Sequence, residues 1–352
     1  MRVIIAIAQV LFRRRQTDGL AVALQRALRA EGHVVELTRI PYAWGEREQV
    51  LGTMLSCRLL HLPSDALIAL EFPAWLLPHP NKILWLTSGQ WIPEGTARDV
   101  PGAAPPQQAL REVCGHAAAA LIPAAARVFT VSAATSHELR RYTELGVTPL
   151  YPPLPEADTF QWGQEGATPA SPLRETASDA ALDYLLVPVV GGCASRIGLL
   201  LEAMAQSREP VRVRIAGRAA DQSRCQRAAA RLGVSERVEW LDDVAEGRLA
   251  ALYASSRGVV CAHRGDAFPW VALRAMVAAK PVIACADAGA IVEMVQHERT
   301  GLLTAPAPAE LAAAMDALWS GAERAAGWGD TGRAAVEALS LRWSTVAQRL
   351  LG

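Results

Sequence analysis

The sequence predicts an α/β protein made of two doubly wound, Rossmann-like domains, each built on a parallel sheet. Three observations predict it. Short, continuous apolar runs of strand length alternate with stretches of helical periodicity, the pattern of strands buried on both faces. A segment rich in Pro, Gly, Ser and Thr, residues 152–180, separates two such alternations. A chain of 352 residues is long enough for about two domains of ordinary size.

Taken in order, residues 3–10 form an apolar run of strand length, and after the basic loop Arg13, Arg14, Arg15 comes a helical pattern over residues 20–30. Glu31 and Gly32 end that helix, and a second strand starts at residues 33–37, which completes one βαβ unit. Further short strands are predicted at residues 66–70, 83–86 and 128–131. A helix follows over residues 132–142, with Ser132 or Thr135 as its cap. After the linker, strands at residues 184–190, 211–216, 238–241, 259–262 and 281–285 alternate with helices at 196–205, 221–232 and 248–254, and two more helices follow the last two strands. That order describes a second doubly wound domain. The predicted division is a first domain over residues 1–155, a linker over 156–182, a second domain over 183–335 and a closing amphipathic helix within 336–352.

Thirty-five basic and thirty-five acidic side chains balance, so there is no electrostatic case for nucleic acid, and at most a peripheral association with a membrane. The six cysteines stand at wide, irregular spacings without a C-x-x-C pair, which indicates reduced cytoplasmic thiols and neither a zinc site nor a disulfide framework. The apolar amino terminus is followed by arginines, the reverse of a secretory signal. Residues 117–134 are interrupted by Pro123 and Arg127, so no spanning helix is predicted.

The chain is organised around residues 258–303, a βαβα segment whose first loop carries His263, Arg264 and Asp266 at a strand's carboxyl end, where open α/β sheets bind ligands. Asp266 reads either as a helix cap or as an acceptor for ligand hydroxyls. Arg274 reads as a solvated helix residue or as a site cation. Glu293 reads as a first-turn acid, and Gly289 as a position where backbone N–H groups approach a phosphate. Gly191 and Gly192 serve either that purpose or a turn, Arg13 to Arg15 are either solvated or touch an anionic acceptor or lipid, and His79 before Pro80 reads as structural.

Asp266-Ala-Phe268, residues 271–276, Lys280-Pro-Val-Ile283, Asp287-Ala-Gly289, Glu293 and residues 300–303 stand at a spacing that resembles glycosyltransferase family 4. So do Phe129-Thr-Val-Ser132 with Arg140, residues 150–154, Ile215-Ala-Gly217 and Leu341-Arg-Trp343, while residues 72–75 and 79–85 are similar to a bacterial polysaccharide branch of it. The resemblance implies the GT-B fold: two Rossmann-like domains facing each other across a cleft, a closing helix that crosses back to the first, the nucleotide sugar on the second domain and the acceptor on the first. It implies a retaining, metal-independent hexosyltransferase with no cofactor beyond its nucleotide-diphosphate sugar substrate. The candidate donor-binding residues are Gly217, Asp266, Phe268, Gly289 and Glu293, together with Arg196, Arg218, His263 and Arg274, which with Arg264 are candidates for a different cationic floor from the family's.

The chain also departs from that pattern. Where the family has two glutamates eight positions apart stand Asp266 and Arg274, and an arginine accepts no hydrogen bond. The family's Gly-Arg falls on Val189 and Val190 and its diphosphate lysine on Ser195, which leaves Arg196 as the adjacent cation. A Gly-Gly turn is replaced by Arg13 to Gln16, and a histidine falls at Ser88 or a neighbour. Three functions follow as expectations. One is transfer of a sugar from a nucleotide sugar to a glycan or lipid-linked acceptor, at the inner face of the membrane or in the cytoplasm. The other is a catalytically silent homologue that scaffolds or activates a partner glycosyltransferase, or pairs with itself. A third is altered chemistry with a donor lacking a ribose.

Overall fold

The structure, a computed structural model, describes residues 1–9, 16–42, 47–87, 105–155, 184–189, 196–217, 222–242, 244–265 and 267–352. It divides into two compact units, Met1–Ala157 with Leu341–Gly352, and Asp158–Ser340. The expected linker, Arg13 to Arg15, Ser88, Val190 to Ser195, Arg218 and Asp266 lie outside the described residues.

The first unit begins β1 (Arg2–Gln9), α1 (Gln16–Ala30), β2 (Val34–Pro41), α2 (Arg47–Leu59) and β3 (Ala66–Ala69). A single 3-10 turn (Ala74–Leu76), β4 (Lys82–Leu86), α3 (Pro105–Leu121), β5 (Arg127–Thr130) and α4 (Ala133–Thr143) follow. Its five strands pair in parallel in the order β2-β1-β3-β4-β5. Residues 3–8 of β1 are all buried, which is why the run is continuously apolar: helices cover both faces of the sheet. Ile4, Leu67 and Leu84 pack with Trp75 and Leu139 in one core. Lys82 is buried in that core's edge, and its Nζ donates to Trp75 O at 3.2 Å beside Arg58 Nη1, which donates to Leu76 O at 3.1 Å. The two cations cap the Trp75 and Leu76 carbonyls of the 3-10 turn. Burial, then the neighbouring Arg58, lowers the lysine to about 8.

The second unit runs β6 (Leu185–Pro188), α5 (Ile197–Gln206), β7 (Val213–Ala216), α6 (Gln222–Arg231), β8 (Val238–Leu241), α7 (Glu246–Ser255), β9 (Gly258–Cys261), α8 (Trp270–Val277) and β10 (Val282–Cys285). It closes with α9 (Ala290–Met294), β11 (Gly301–Thr304), α10 (Pro308–Ser320) and α11 (Ala322–Ala338). Its six strands are parallel in the order β11-β10-β9-β6-β7-β8. Both units are therefore doubly wound, as the alternating pattern predicts.

The closing helix, α12 (Trp343–Leu351), belongs to the first unit although the second precedes it in the chain. Trp343 meets Trp85 edge-on at 6.3 Å between ring centroids and donates through Nε1 to Leu154 O at 3.3 Å, while Arg127 Nη1 donates to Leu350 O at 2.8 Å. Residues 336–338 end α11 instead of opening this helix, and the chain turns between them at Ser340, with φ 47°.

Ser132 caps α4 as expected, accepting the Thr135 N–H at 3.2 Å. The helix predicted from residue 20 starts a turn earlier, at Gln16. The mixed character of residues 117–134 resolves into the end of α3 and β5. Among the described residues no helix is long and apolar enough to cross a membrane.

Candidate functional site

In the second sheet the chain winds from β6 outward through β7 and β8, then returns to the other side of β6 with β9, β10 and β11. The reversal falls between β6 and β9, and a doubly wound sheet opens its ligand crevice at the carboxyl ends of such a pair. His263 sits there, two residues past β9, in what the sequence reads as a polar loop; it is only 2% exposed. Its Nε2 lies 2.8 Å from Pro188 O at the end of β6. A carbonyl only accepts, so Nε2 carries the proton and Nδ1 a lone pair. That Nδ1 is buried without a hydrogen-bond partner. Burial lowers the imidazole below its ordinary value, the Pro188 bond opposes this, and the nearby Arg196 charge adds to the lowering.

Arg196 immediately precedes α5, and its guanidinium is fixed on three sides. Nε donates to Ala262 O at 2.8 Å and Nη2 to His263 O at 2.9 Å; Nη1 and Nη2 clasp the Asp287 carboxylate at 3.0 and 2.6 Å. Asp287 lies in the turn after β10, and its backbone carbonyl accepts the Gly265 N–H at 2.9 Å. The start of α5, the end of β9 and the β10–α9 turn are thereby bound into one frame. The geometry is the two-pronged fork that arginine offers and lysine does not. This is a different use of Arg196 from the one expected. Its charge is balanced by Asp287, and four of its five N–H groups are held by the protein.

Gly217 follows β7 with φ 111°, and a Cβ there would stand 2.8 Å from Val189 O, so the two strand ends approach more closely than any side chain permits. Phe268 is buried and stacked on Trp270, with centroids 4.5 Å apart and planes at 28°. The indole Nε1 of Trp270 is buried without a partner, and Pro269 occupies the cap position of α8. Arg274 is half-buried on α8, between Leu273 and Ala275, which are buried. Gly289 precedes α9 with φ 69° and ψ −131°, a conformation that favours glycine, and Glu293 lies in the first turn of that helix. Arg218 and Asp266, also expected here, lie outside the described residues. The structure joins Arg196, His263 and the Asp287 turn. Asp287 is the partner that sequence reasoning missed as a site residue, its only signal being the Asp-Ala-Gly turn. Among the described residues no group of three or more His, Cys, Asp or Glu could hold a metal ion.

The lowered His263 sets a pH dependence of known sign. In the unfolded chain it titrates near about 6.5, and in the folded chain lower, so protonation opposes folding. Its contribution is fully present above about pH 6.5 and is lost as pH falls through the folded value. His263→Gln keeps a donor for Pro188 O without titrating. In thermal unfolding at about pH 7.5 and 5.5 the variant is expected to lose less stability on acidification than the parent; equal losses contradict the assignment.

Residues 188–321 match the family model of glycosyl transferases group 1. No curated protein sequence matches the chain. Among solved structures the chain is similar to a sucrose-phosphate synthase from Thermosynechococcus elongatus, with 17% identity, 99% of this chain and 96% of that one covered, and a TM-score of 0.70. It is similar to HepE of Anabaena in complex with UDP and glucose, with 17% identity, 100% and 98% coverage and a TM-score of 0.70. It is also similar to WaaG, a glycosyltransferase involved in lipopolysaccharide biosynthesis, with 12% identity, 99% and 100% coverage and a TM-score of 0.75. The fold is that of the GT-B glycosyltransferases.

Proposed function

We propose that this chain is a glycosyltransferase that moves a sugar from a nucleotide-diphosphate donor to a glycan or lipid-linked acceptor. The observation that carries the reading is that the match to glycosyl transferases group 1, residues 188–321, runs from the last residue of β6 to the end of α10 and includes every residue of the His263–Arg196–Asp287 frame. A departing nucleoside diphosphate needs N–H donors and positive charge placed in advance, and hydroxyls need acceptors. The frame contributes rigidity to that task, Gly289 allows backbone approach, and the Nδ1 lone pair of His263 is an acceptor of fixed orientation. Transfer is proposed to proceed with retention, without a metal ion and without a cofactor, at most in peripheral association with a membrane.

One observation favours a second reading. The Arg196 charge is balanced by Asp287, so the cation nearest the expected diphosphate position adds little net charge. On that reading the chain binds and activates a partner glycosyltransferase without turning over.

Calorimetry with UDP, GDP, ADP and their sugars separates the two. Binding of one nucleotide, with the sugar form bound in preference to the free nucleotide, is the expected result for transfer. An absence of binding at millimolar ligand sinks it, and co-purification of an intact glycosyltransferase then supports the silent reading.

A further inference from the structure

Of the thirty-five lysines and arginines in the chain, two are lysines, Lys82 and Lys280, and neither is exposed. Lys82 is the more deeply placed: it opens β4 at the amino edge of the first sheet and is 6% exposed. A buried ammonium ordinarily has a carboxylate beside it. Among the described residues no carboxylate pairs with Lys82 or with Arg58. The lysine Nζ donates to Trp75 O at 3.2 Å, and the charge it feels is a second cation, the Arg58 guanidinium, which donates through Nη1 to the next carbonyl, Leu76 O, at 3.1 Å. Arg58 is exposed, and its remaining N–H groups are not held by any described residue. Burial and that like charge hold Lys82 at about 8, so about a quarter of the amine is uncharged at pH 7.5. An amine in that state carries a lone pair, and the donor fork beside it has no anion. The cluster is one negative charge short.

We propose that Lys82 is a carbamate-forming site, at which the side-chain amine adds carbon dioxide and the carbamate produced pairs with Arg58. In the step the nitrogen lone pair forms the N–C bond, one C–O π bond of carbon dioxide becomes a carboxylate oxygen, and a proton leaves the nitrogen for water or bicarbonate. Carbon dioxide is small and uncharged, so it reaches a side chain that bulky acylating reagents do not. The product places two acceptor oxygens beside an arginine that offers parallel N–H groups, the arrangement of the strong two-pronged pair. Its one remaining N–H still serves Trp75 O. Two like charges become an ion pair, so the carbamate stabilises the first unit, and this holds whether or not the chain transfers sugars.

The probe is bicarbonate labelled with carbon-13, in equilibrium with carbon dioxide, added to the full chain at about pH 8 and read by carbon NMR. A carbamate signal is expected that disappears in Lys82→Arg, which keeps a donor for Trp75 O, and persists in Lys280→Arg. The α-amine of Met1 also reacts with carbon dioxide, so the carbamate is trapped by alkylation of its oxygen and mapped by mass to the peptide that holds Lys82. That mapping uses the parent alone and decides the question even where Lys82→Arg fails to fold. Arg58→Gln is expected to lower occupancy at Lys82 by about fivefold or more, because the charge-assisted bonds are lost and the amine becomes more basic. Bicarbonate is expected to raise the thermal midpoint of the parent above that in chloride of equal ionic strength. No trapped carbamate on Lys82, equal occupancy in the parent and Arg58→Gln, or a midpoint raised as much by chloride as by bicarbonate overturns the proposal.

Discussion

Arg196→Ala is expected to destabilise the second unit by about 2–4 kcal/mol and to abolish nucleotide-sugar binding measurable by calorimetry. The substitution removes four hydrogen bonds together, two to the Asp287 carboxylate and two to the Ala262 and His263 carbonyls. The side chains of Arg196 and Asp287 are 25% and 38% exposed, so the ion pair itself contributes at the low end, and the bonds to partly buried carbonyls make up the remainder. Arg196→Lys is expected to recover little, since an ammonium cannot span three partners in fixed directions. A double-mutant cycle with Asp287→Ala, followed by urea unfolding, is expected to give a coupling of about 1–3 kcal/mol; independent, additive effects would show that the frame does not act as a unit. Where the strand ends lose their register, bound groups shift, and misplacement by about 1 Å costs on the order of 10² in rate.

Gly329→Ala is expected to cost more than about 3 kcal/mol, or to leave the chain insoluble. Helix propensity alone argues the other way, since alanine is better than glycine inside a helix by about 1 kcal/mol. The decisive fact is packing: a Cβ on Gly329 would stand 2.1 Å from Ala279 O and 2.6 Å from Ala279 C. Ala279 holds the turn between α8 and β10 at φ 51°, so the obstructing group is backbone already in a restricted conformation. Nearby Gly332 is the control. Its added Cβ would meet Met276 Cγ at 3.1 Å, the middle of a flexible side chain, and Gly332→Ala is expected to cost less than about 1.5 kcal/mol. Thermal midpoints of the two variants check the contrast. A Gly329→Ala protein as stable as the parent would mean that α11 does not seat on that turn.

How much could be read in advance differs between strands, helices and site. The central strands β1, β3 and β4 were legible because they are buried on both faces and therefore written as nearly unbroken apolar runs, as residues 3–8 are. Four helices were not, among them α3 (Pro105–Leu121), of which the sequence reading touched only the mixed stretch from residue 117. In α2, Val50, Met54 and Cys57 face the core, yet Leu55 and Leu59 on the same helix are exposed, so apolar residues occur all round and the period is blurred. The pair α10 and α11 lies beyond the segment whose pattern was strongest, and β11 is only four residues long.

In the site, His263 and Arg196 were named from the sequence, the first as a ligand group in a polar loop and the second as a cation beside the expected diphosphate position. Burial of His263 and the bonds that hold Arg196 in place depend on residues 75 and 91 positions away, Pro188 and Asp287. Glu71, which closes an apolar strand and leads into Phe72 and Pro73, carries no periodic signal at all.

By itself the sequence determined that there are two doubly wound sheets, where most of their strands lie and that the chain resembles sugar-transferring proteins. Hydrophobic period is a local property, and local properties survive in one dimension. Only the tertiary structure decided that Arg196 is a brace instead of a free cation, that His263 is buried with Nε2 on the Pro188 carbonyl, and that Glu71, Thr17 and Thr87 stand near the winding reversal of the first sheet. Those roles are set by hydrogen bonds between residues brought together by sheet order, and no spacing along the chain encodes which strand ends become neighbours.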